Sequence, residues 1–254
     1  AITVMGARTW GDGYIQGTGF EGYNYFANIS KRINENHQLS LTAFGAPQEH
    51  YQRSSGLTMK EWNNVRKYMK DGMHFSRYNP TYGYDDNGNQ NSANYNVYHK
   101  PQISLNHIWQ IDHKSSWSTT AYVSLGRGYG RTAEPGLNSS YSYTDLTYGA
   151  NYGTLSQTFR RADGTFDYGA VMWANNPDNP IYDPSSDQYE KMYAGSQLVI
   201  CENRNDHNWY GLTSTYTNKF ADMFDFYAGI DVRYYQGKHN ATISDLLGGE
   251  YFID

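Results

Sequence analysis

Residues 103–125, which read ISLNHIWQIDHKSSWSTTAYVSL, carry the clearest structural pattern of this chain. As far as Asp112 the odd positions hold mostly apolar side chains and the even positions mostly polar ones. After DHKS the alternation resumes, again with apolar residues at odd positions, from Trp117 to Leu125. A period of two is typical of a β-strand with two different faces. The stretch therefore predicts two strands joined by a tight turn.

The length of this hairpin leaves two alternatives open. Each arm has about ten residues, the length that crosses a bilayer as a tilted strand. A soluble β-sandwich can carry a similar hairpin. The two differ in whether hairpins recur with short turns at one end and long loops at the other.

The composition combines many aromatic residues with a low hydropathy. The 254 residues include 26 Tyr, 6 Trp and 10 Phe, yet only 38% are hydrophobic, and the mean hydropathy is -0.80. A wall with one lipid face and one wet face has this composition, because alternation halves the apolar content and Tyr and Trp prefer interfaces. A Tyr-rich soluble glycan-binding protein has a similar one.

Charge and motif content exclude several classes. The net charge of -5 gives no basic field, so nucleic acid is not a predicted partner. Cys201 is the only cysteine, which excludes a disulfide-stapled domain. No run of about eighteen apolar residues is present, so a membrane crossing would need strands. The sequence lacks GxSxG, HExxH, phosphate-loop and dinucleotide motifs, and neither an enzyme nor a catalytic residue is predicted.

Five further strands show the same alternation, four of them in short-turn hairpins. With residues 103–125 they make about seven strands, too few for even the smallest barrel class, which has eight. The chain also begins in strand-like sequence and stops in loop-like sequence, so we expect a piece of a longer protein. The further strands lie at residues 2–10, 23–33 with 38–48, and 210–220 with 224–234.

Two long segments separate the hairpins. Residues 51–94 lose the alternation and contain a predicted helix at residues 57–69, where Thr58 and Glu61 form a capping box. The segment of residues 131–206 is longer than an ordinary connection between two strands. The predicted fold is therefore all-β, a partial antiparallel transmembrane β-barrel spanning residues 1–254, with two extracellular loops and one short loop helix. The helix would also suit an α+β domain.

Alternation assigns the strands a lumen face and a membrane face. Asp231 and Arg233 lie on the polar face of the last strand, where burial in a sandwich core would be costly, and they are predicted to face a wet lumen. Four aromatic residues of the strands are predicted to lie at the membrane boundary as girdle residues. The alternative is that they are core aromatics of a sandwich. The girdle residues are Trp109, Trp117, Tyr210 and Phe224.

Aromatic and arginine residues of the second long segment are the candidate ligand-binding residues. Such rings can stack on sugars, and arginine can bind an anionic chelate. The alternative is that they pack the segment on itself. The candidates are Tyr141, Tyr143, Tyr148, Tyr152, Phe159, Arg160, Arg161, Tyr168 and Trp173.

The loop sequence DDNGN is the one candidate cation site. Asp85, Asp86, Asn87 and Asn89 have the oxygen density of a Ca²⁺ loop. The motif lacks a distal bidentate Glu and its Gly is misplaced for an EF-hand, so a solvated turn is favoured. The histidines show no metal spacing. No metal and no cofactor is predicted.

Two stretches resemble hairpins of the TonB-dependent outer-membrane receptors of Bacteroidetes-type bacteria. They are residues 13–53, GYIQGTGFEGYNYFANISKRINENHQLSLTAFGAPQEHYQR, and residues 113–131, HKSSWSTTAYVSLGRGYGR. RINENHQLSLTAFGAPQ is the most specific part. The resemblance covers most of the chain and is weaker in the loops. The family's plug domain and its N-terminal energy-coupling box are absent from these residues.

The resemblance implies a location in the bacterial outer membrane and a role in import. In that family a plug fills a barrel of about 22 strands, extracellular loops capture a scarce iron chelate, cobalamin or glycan, and TonB moves the plug. The implied partners are outer-membrane lipid, the rest of the receptor, TonB through the missing N-terminal part, and a surface lipoprotein. The alternatives are a soluble or surface-attached β-rich glycan-binding module and a passive porin without a plug.

Overall fold

A computed structural model of the chain describes residues 1–53, 56–70, 72–137, 139, 141, 145, 153, 155–179, 195–220 and 223–254. These residues form mostly antiparallel β-sheet, which confirms the all-β prediction. Within these ranges, no helix has both the length and the apolar content needed to cross a membrane.

The described residues form twelve strands and two α-helices. Two short 3-10 helices, Val65–Tyr68 and Phe75–Arg77, lie between α1 and β5. In chain order the elements are β1 (Ile2–Gly11), β2 (Phe20–Arg32), β3 (His37–Gly45), β4 (Gln48–Tyr51), α1 (Met59–Asn64), β5 (Tyr82–Tyr84), β6 (Gln90–Ser92), β7 (Tyr95–His99), β8 (Gln102–Gln110), β9 (Ser115–Pro135), β10 (Phe166–Asp167), α2 (Tyr168–Asn175), β11 (Leu198–Phe220) and β12 (Phe224–Asp245).

Nine of these strands form one antiparallel sheet. β3 and β4 both pair with β2, and β7 and β8 both pair with β9. Pro47 and Pro101 lie in the two gaps, where a proline has no N–H to donate to the ladder. The sheet therefore has seven rows in chain order, namely β1, β2, β3 with β4, β7 with β8, β9, β11 and β12. This agrees with the number expected from the alternation.

Connections of this meander alternate between the two edges of the sheet. The connections after β2, β8 and β11 are short and share one edge. In two of them Asn34 and Asp112 use a side-chain oxygen to accept backbone N–H groups two and three residues on. The longer connections after β1, β4 and β9 share the opposite edge, and the residues after β12 leave from there as well.

The later strands are longer than predicted. β9 continues to Pro135 and β11 begins at Leu198, and these two residues pair with each other. Residues 131–135 and 198–206, expected in a loop, are therefore strand. The first residues of β11, from Leu198 to Cys201, are all buried, so both faces are covered and no alternation marks them. β12 likewise extends beyond the predicted end, to Asp245.

The predicted helix at residues 57–69 is present as α1 and the following 3-10 helix. The Thr58 side chain accepts the Glu61 N–H at 3.2 Å, as a capping residue does. The reciprocal half of the capping box is replaced, because the Thr58 N–H donates to the Gly153 carbonyl.

The strand register places the apolar positions of all seven rows on one face of the sheet. At these positions, neither face of the sheet is covered by other described residues. The apolar side chains are therefore open: Ile2, Leu105 and Val232 are 74%, 49% and 60% exposed. On the opposite face Asn28 donates to two hydroxyls of β3 and Asn106 accepts the Thr120 hydroxyl. One apolar line crosses every row through Ile2, Ile29, Leu41, Leu105, Ala121, Leu212 and Val232.

Buried residues concentrate at the long-connection edge, in a unit that we call the cap. The cap comprises the described residues of 12–19, 52–94, 136–197 and 246–254. One cluster packs Phe166, Tyr168 and Val171 against Ala133 and Ile200 of the sheet. A second cluster lies around Val65, Tyr78 and Leu155. The hydrophobic core therefore supports one end of the sheet, and the larger part of the sheet extends beyond it.

Candidate functional site

The predicted ligand-binding aromatics that can be described lie mainly inside the cap. Phe159 and Tyr168 are 5% and 1% exposed. The Tyr141 ring packs edge-on against Phe159, with 4.8 Å between ring centroids. The Tyr168 hydroxyl donates to the Thr81 carbonyl at 2.7 Å and accepts the Ala93 N–H at 2.8 Å. Burial raises the pKa of this hydroxyl above its ordinary value.

The two predicted arginines hold cap segments together. The Arg160 guanidinium donates to the Tyr78 hydroxyl at 3.0 Å and to the Pro80 carbonyl at 2.9 Å. Burial lowers the pKa of Arg160. Arg161 forms an ion pair with Asp167 at 3.0 Å, and the hydrogen bond between them raises the pKa of Arg161. Asp167 in turn caps the N-terminus of α2.

The remaining ligand-binding candidates divide into one exposed ring and three undescribed residues. Trp173 on α2 is 59% exposed and is the most open aromatic ring among the described candidates. Tyr143, Tyr148 and Tyr152 lie outside the described residues. The described candidates therefore share the cap, but only Trp173 presents a large free surface.

The oxygen-rich loop after β5 is closed by its own hydrogen bonds. Asp85 Oδ1 accepts the N–H groups of Asn87 and Asn89, and Oδ2 accepts the Asn89 side-chain amide at 2.9 Å. These bonds, the Asn89 amide first, lower the pKa of Asp85. Asp86 points elsewhere, toward Gly169 at the start of α2. Across the described part of the chain, no group of three His, Cys, Asp or Glu is placed to hold a metal ion.

The predicted lumen-facing pair lies on the polar face of β12. Arg233 Nε donates to Asp231 Oδ1 at 2.8 Å, and both side chains are exposed. Val232 and Tyr234, on either side of Arg233 in the sequence, belong to the apolar face. This geometry is the alternation expected for β12.

The predicted girdle residues lie on the apolar face, at two levels. Trp109 and Trp117 are directly opposite each other near the short turns. The Trp117 indole N–H donates to the Ser214 hydroxyl at 2.6 Å, and its ring centroid is 5.7 Å from that of Tyr216. Phe224 pairs with Phe220 next to the last short turn. Tyr210 lies nearer the cap, opposite Val123 and Tyr234.

A cleft of about 550 Å³ lies between the apolar rows and the cap, on the apolar side of the sheet. We call it the belt cleft. Register places Glu21 beside Glu49, Glu49 beside Val97, Val97 beside Tyr129 and Tyr129 beside Arg204, so one line of side chains crosses five strands. The charged and aromatic residues that line it include Glu21, Tyr23, Glu49, Arg127, Tyr129 and Arg204.

Both carboxylates and guanidinium groups line or flank the belt cleft. Arg8 pairs with Glu21 at 2.7 Å, and the Tyr95 hydroxyl donates to Glu49 at 2.7 Å. Arg204 lies over the Tyr129 ring, with 5.4 Å between guanidinium carbon and ring centroid. A cleft of this size with a few convergent polar groups is suited to a small ligand.

The belt cleft is not predicted by the alternation, although β9 carries a signal for it. Beyond Leu125 the odd positions of β9 continue with Arg127, Tyr129 and Arg131. The face that is apolar before Leu125 therefore becomes basic and aromatic. Glu21 of β2 and Glu49 of β4 join these residues in the belt cleft only through long-range strand register.

No model of a known protein family matches the chain, and a search of curated proteins finds no match.

Proposed function

We propose that this chain is part of the wall of an outer-membrane β-barrel, and that the complete protein is an energy-coupled receptor that imports a scarce nutrient. The observation that carries the proposal is the apolar face shared by all seven rows, which no described residue covers. Monomeric soluble proteins rarely leave so large an apolar patch open. Acyl chains of a bilayer would cover it.

The dimensions of the apolar face support a bilayer as its partner. From Trp117 to Leu125, β9 rises about 27 Å at roughly 3.4 Å per residue. A strand tilted by about 40° needs about 33 Å to cross an apolar band about 25 Å tall, so this stretch spans most of such a band. The part of the apolar face that lies level with Trp117 to Leu125 of β9 is called the apolar band. Trp109 and Trp117 would lie at its periplasmic boundary, as girdle residues do.

The polar face supports a wet interior. Asp231 and Arg233 are paired and exposed there, and amide and hydroxyl groups of β2, β3, β8 and β9 lie on the same face. A sandwich would have to bury one of the two faces, and burial of this one would desolvate charges. Seven rows are fewer than the eight strands of the smallest barrels, so the wall requires further strands from the rest of the receptor.

The receptor role rests on the resemblance to TonB-dependent receptors and on the folded cap. The cap lies at the edge of the long connections, which would be extracellular if the short turns are periplasmic. In that family such loops capture an iron chelate, cobalamin or glycan, and TonB moves a plug. A surface lipoprotein that closes over the loops is the further partner implied.

Site-directed spin labelling of neighbouring residues on β11 tests the membrane placement. In a Cys201→Ser background, Leu212→Cys and Thr213→Cys would carry spin labels on the apolar and the polar face. In isolated outer membranes we expect the label at 212 to be accessible to dissolved oxygen and the label at 213 to a water-soluble nickel reagent. Equal access of the nickel reagent to both labels would refute the membrane wall and favour the soluble glycan-binding module.

Uptake measurements test the receptor role separately. We expect cells to lose high-affinity uptake of one ferric chelate, cobalamin or glycan both when this protein is deleted and when TonB is inactivated. Uptake that persists without TonB would instead support the passive porin.

A further inference from the structure

The belt cleft adjoins the apolar band without an intervening layer. Arg127 follows Leu125 by two residues on the same face of β9, a rise of about 7 Å. His99, opposite Arg127, lines the cleft as well. A molecule lying on the band would therefore present its headgroup to the cleft.

We propose that the belt cleft binds the saccharide headgroup of a lipid whose acyl chains lie on the apolar band. This inference rests on the proposed function, because acyl chains reach the band only if the chain forms a membrane wall. The bound lipid would be part of the surrounding membrane and not the imported cargo, since the cleft is on the side opposite the predicted lumen.

The charges of the cleft favour a neutral, polyhydroxylated headgroup. Its lining holds the carboxylates of Glu21, Glu49 and Asp206 and the guanidinium groups of Arg127 and Arg204, and Arg8 adds a cation by pairing with Glu21. Opposite charges are thus nearly balanced. A phosphate would need an excess of cations, whereas sugar hydroxyls both donate and accept hydrogen bonds.

Two side chains retain hydrogen-bonding capacity for such hydroxyls. Glu49 receives the Tyr95 hydroxyl on Oε2, and within the described residues its Oε1 accepts no hydrogen bond. Arg204 has an ion contact of 3.7 Å with Glu202 and, among the same residues, donates no hydrogen bond. Both lie on the line that crosses the cleft floor.

The floor between these two groups is apolar and aromatic. Val97 and Tyr129 separate Glu49 from Arg204 along that line. The carbon–hydrogen face of a sugar ring can pack on such surfaces while its hydroxyls reach the charged groups at either end. Glu49 and Arg204 are three strand spacings apart, about 14 Å between their Cα atoms, and their side chains shorten the gap.

Native mass spectrometry of the complete protein, released from dodecyl-dimethylamine-oxide micelles, tests the proposal. Three probes would be compared: dodecyl maltoside, which joins a sugar to an acyl tail; dodecylphosphocholine, with the same tail and a phosphate headgroup; and free maltose. We expect one retained dodecyl maltoside per chain, no comparable adduct with dodecylphosphocholine, and no displacement by a tenfold excess of maltose.

Matched variants assign the adduct to the cleft. Glu49→Gln and Arg204→Gln each remove a charged partner of a hydroxyl, and each should weaken retention of dodecyl maltoside about fivefold to tenfold. Glu35→Gln, in the exposed turn after β2, removes a carboxylate at the opposite edge and should leave retention unchanged.

The outcomes distinguish failure of this inference from failure of the proposed function. If the spin labels report a membrane wall but dodecyl maltoside is retained no better than dodecylphosphocholine, only the saccharide site is refuted. If a tenfold excess of free maltose displaces dodecyl maltoside, the acyl chain adds too little affinity and the lipid-linked site is refuted. If, in addition, the nickel reagent reaches both spin labels equally, the proposed membrane wall is refuted together with the saccharide site.

Discussion

Asn175 joins three chain segments in the buried part of the cap. Its Nδ2 donates to the carbonyls of Leu198, Leu246 and Leu247 at 2.8, 3.0 and 3.1 Å, and its Oδ1 accepts the Gln197 N–H at 2.8 Å. The residue is fully buried. One side chain therefore ties α2 to the start of β11 and to the residues after β12.

Replacing this amide by a carboxylate should destabilise the cap. Asn175→Asp removes the two N–H donors that serve these three carbonyls and faces a buried charge toward their oxygens, so we expect a loss of about 3 kcal/mol or more in unfolding free energy. Hydrogen exchange of the Gln197 and Leu198 amides would measure it. Asn176→Asp is the control, because its side chain only accepts a bond from the Asp178 N–H. Equal protection in the two variants would contradict the prediction.

Asp85 should titrate below an ordinary aspartate, whose pKa is about 3.9. Because the Asn89 amide and two backbone N–H groups bind the ionised form, the pKa is lowered on folding. The stabilisation is then present above the unfolded pKa and is lost as pH falls through the folded pKa. It should not change between about pH 5 and pH 8.

Carboxyl-carbon NMR would follow the Asp85 titration. Asn89→Ala removes the side-chain donor and should move the pKa of Asp85 back toward the ordinary value. Asn87→Ala keeps the backbone donor and should leave that pKa unchanged. An Asp85 pKa that is insensitive to Asn89→Ala would show that this hydrogen bond is not the cause.

Among the elements, the small cap sheet depends on close backbone approach. β5 pairs with β10 in parallel and with β6 in antiparallel orientation, which joins the two long segments. A Cβ atom on Gly83 would lie 1.8 Å from the Phe166 carbonyl oxygen. Glycine is therefore required where β5 and β10 meet.

Gly83→Ala should separate β5 from β10. We expect a loss of about 1–3 kcal/mol, because backbone must move to admit the methyl group. Gly6→Ala in β1 is the matched control, since its Cβ would meet no atom within 4 Å. Urea unfolding followed by near-ultraviolet circular dichroism would compare them. Two variants of equal stability would mean that the β5–β10 pairing does not resist the added methyl group.

The complete molecule should behave as a large barrel. β1 and β12 are the outer strands of the seven-row sheet, and in the proposed barrel each would pair with a further strand. An antibody against residues 57–69 should therefore detect, in outer-membrane fractions, a band much larger than the 29.1 kDa of this chain, with a mobility that changes on boiling. A soluble band near 29.1 kDa, unchanged by heating, would contradict the proposed function.

Local patterns were sufficient for the hairpins, their two faces and the capped helix. Alternation of period two is a property of neighbouring residues, and the turn chemistry of Asn34 and Asp112 acts within three residues. These features therefore follow from short stretches such as residues 103–125. The Thr58 cap is equally local: the sequence predicts a capping box, and the structure contains its accepting half.

Long-range register and burial were needed for the rest. Leu198 to Cys201 show no alternation because both of their faces are covered, and Arg160 joins two distant segments of the cap through its contacts with Tyr78 and Pro80. The belt cleft unites Glu21, Glu49 and Arg204, which are far apart in the chain and meet only across five paired strands. Such juxtapositions have no local signature, because pairing partners are set by the order of the rows and not by neighbouring residues.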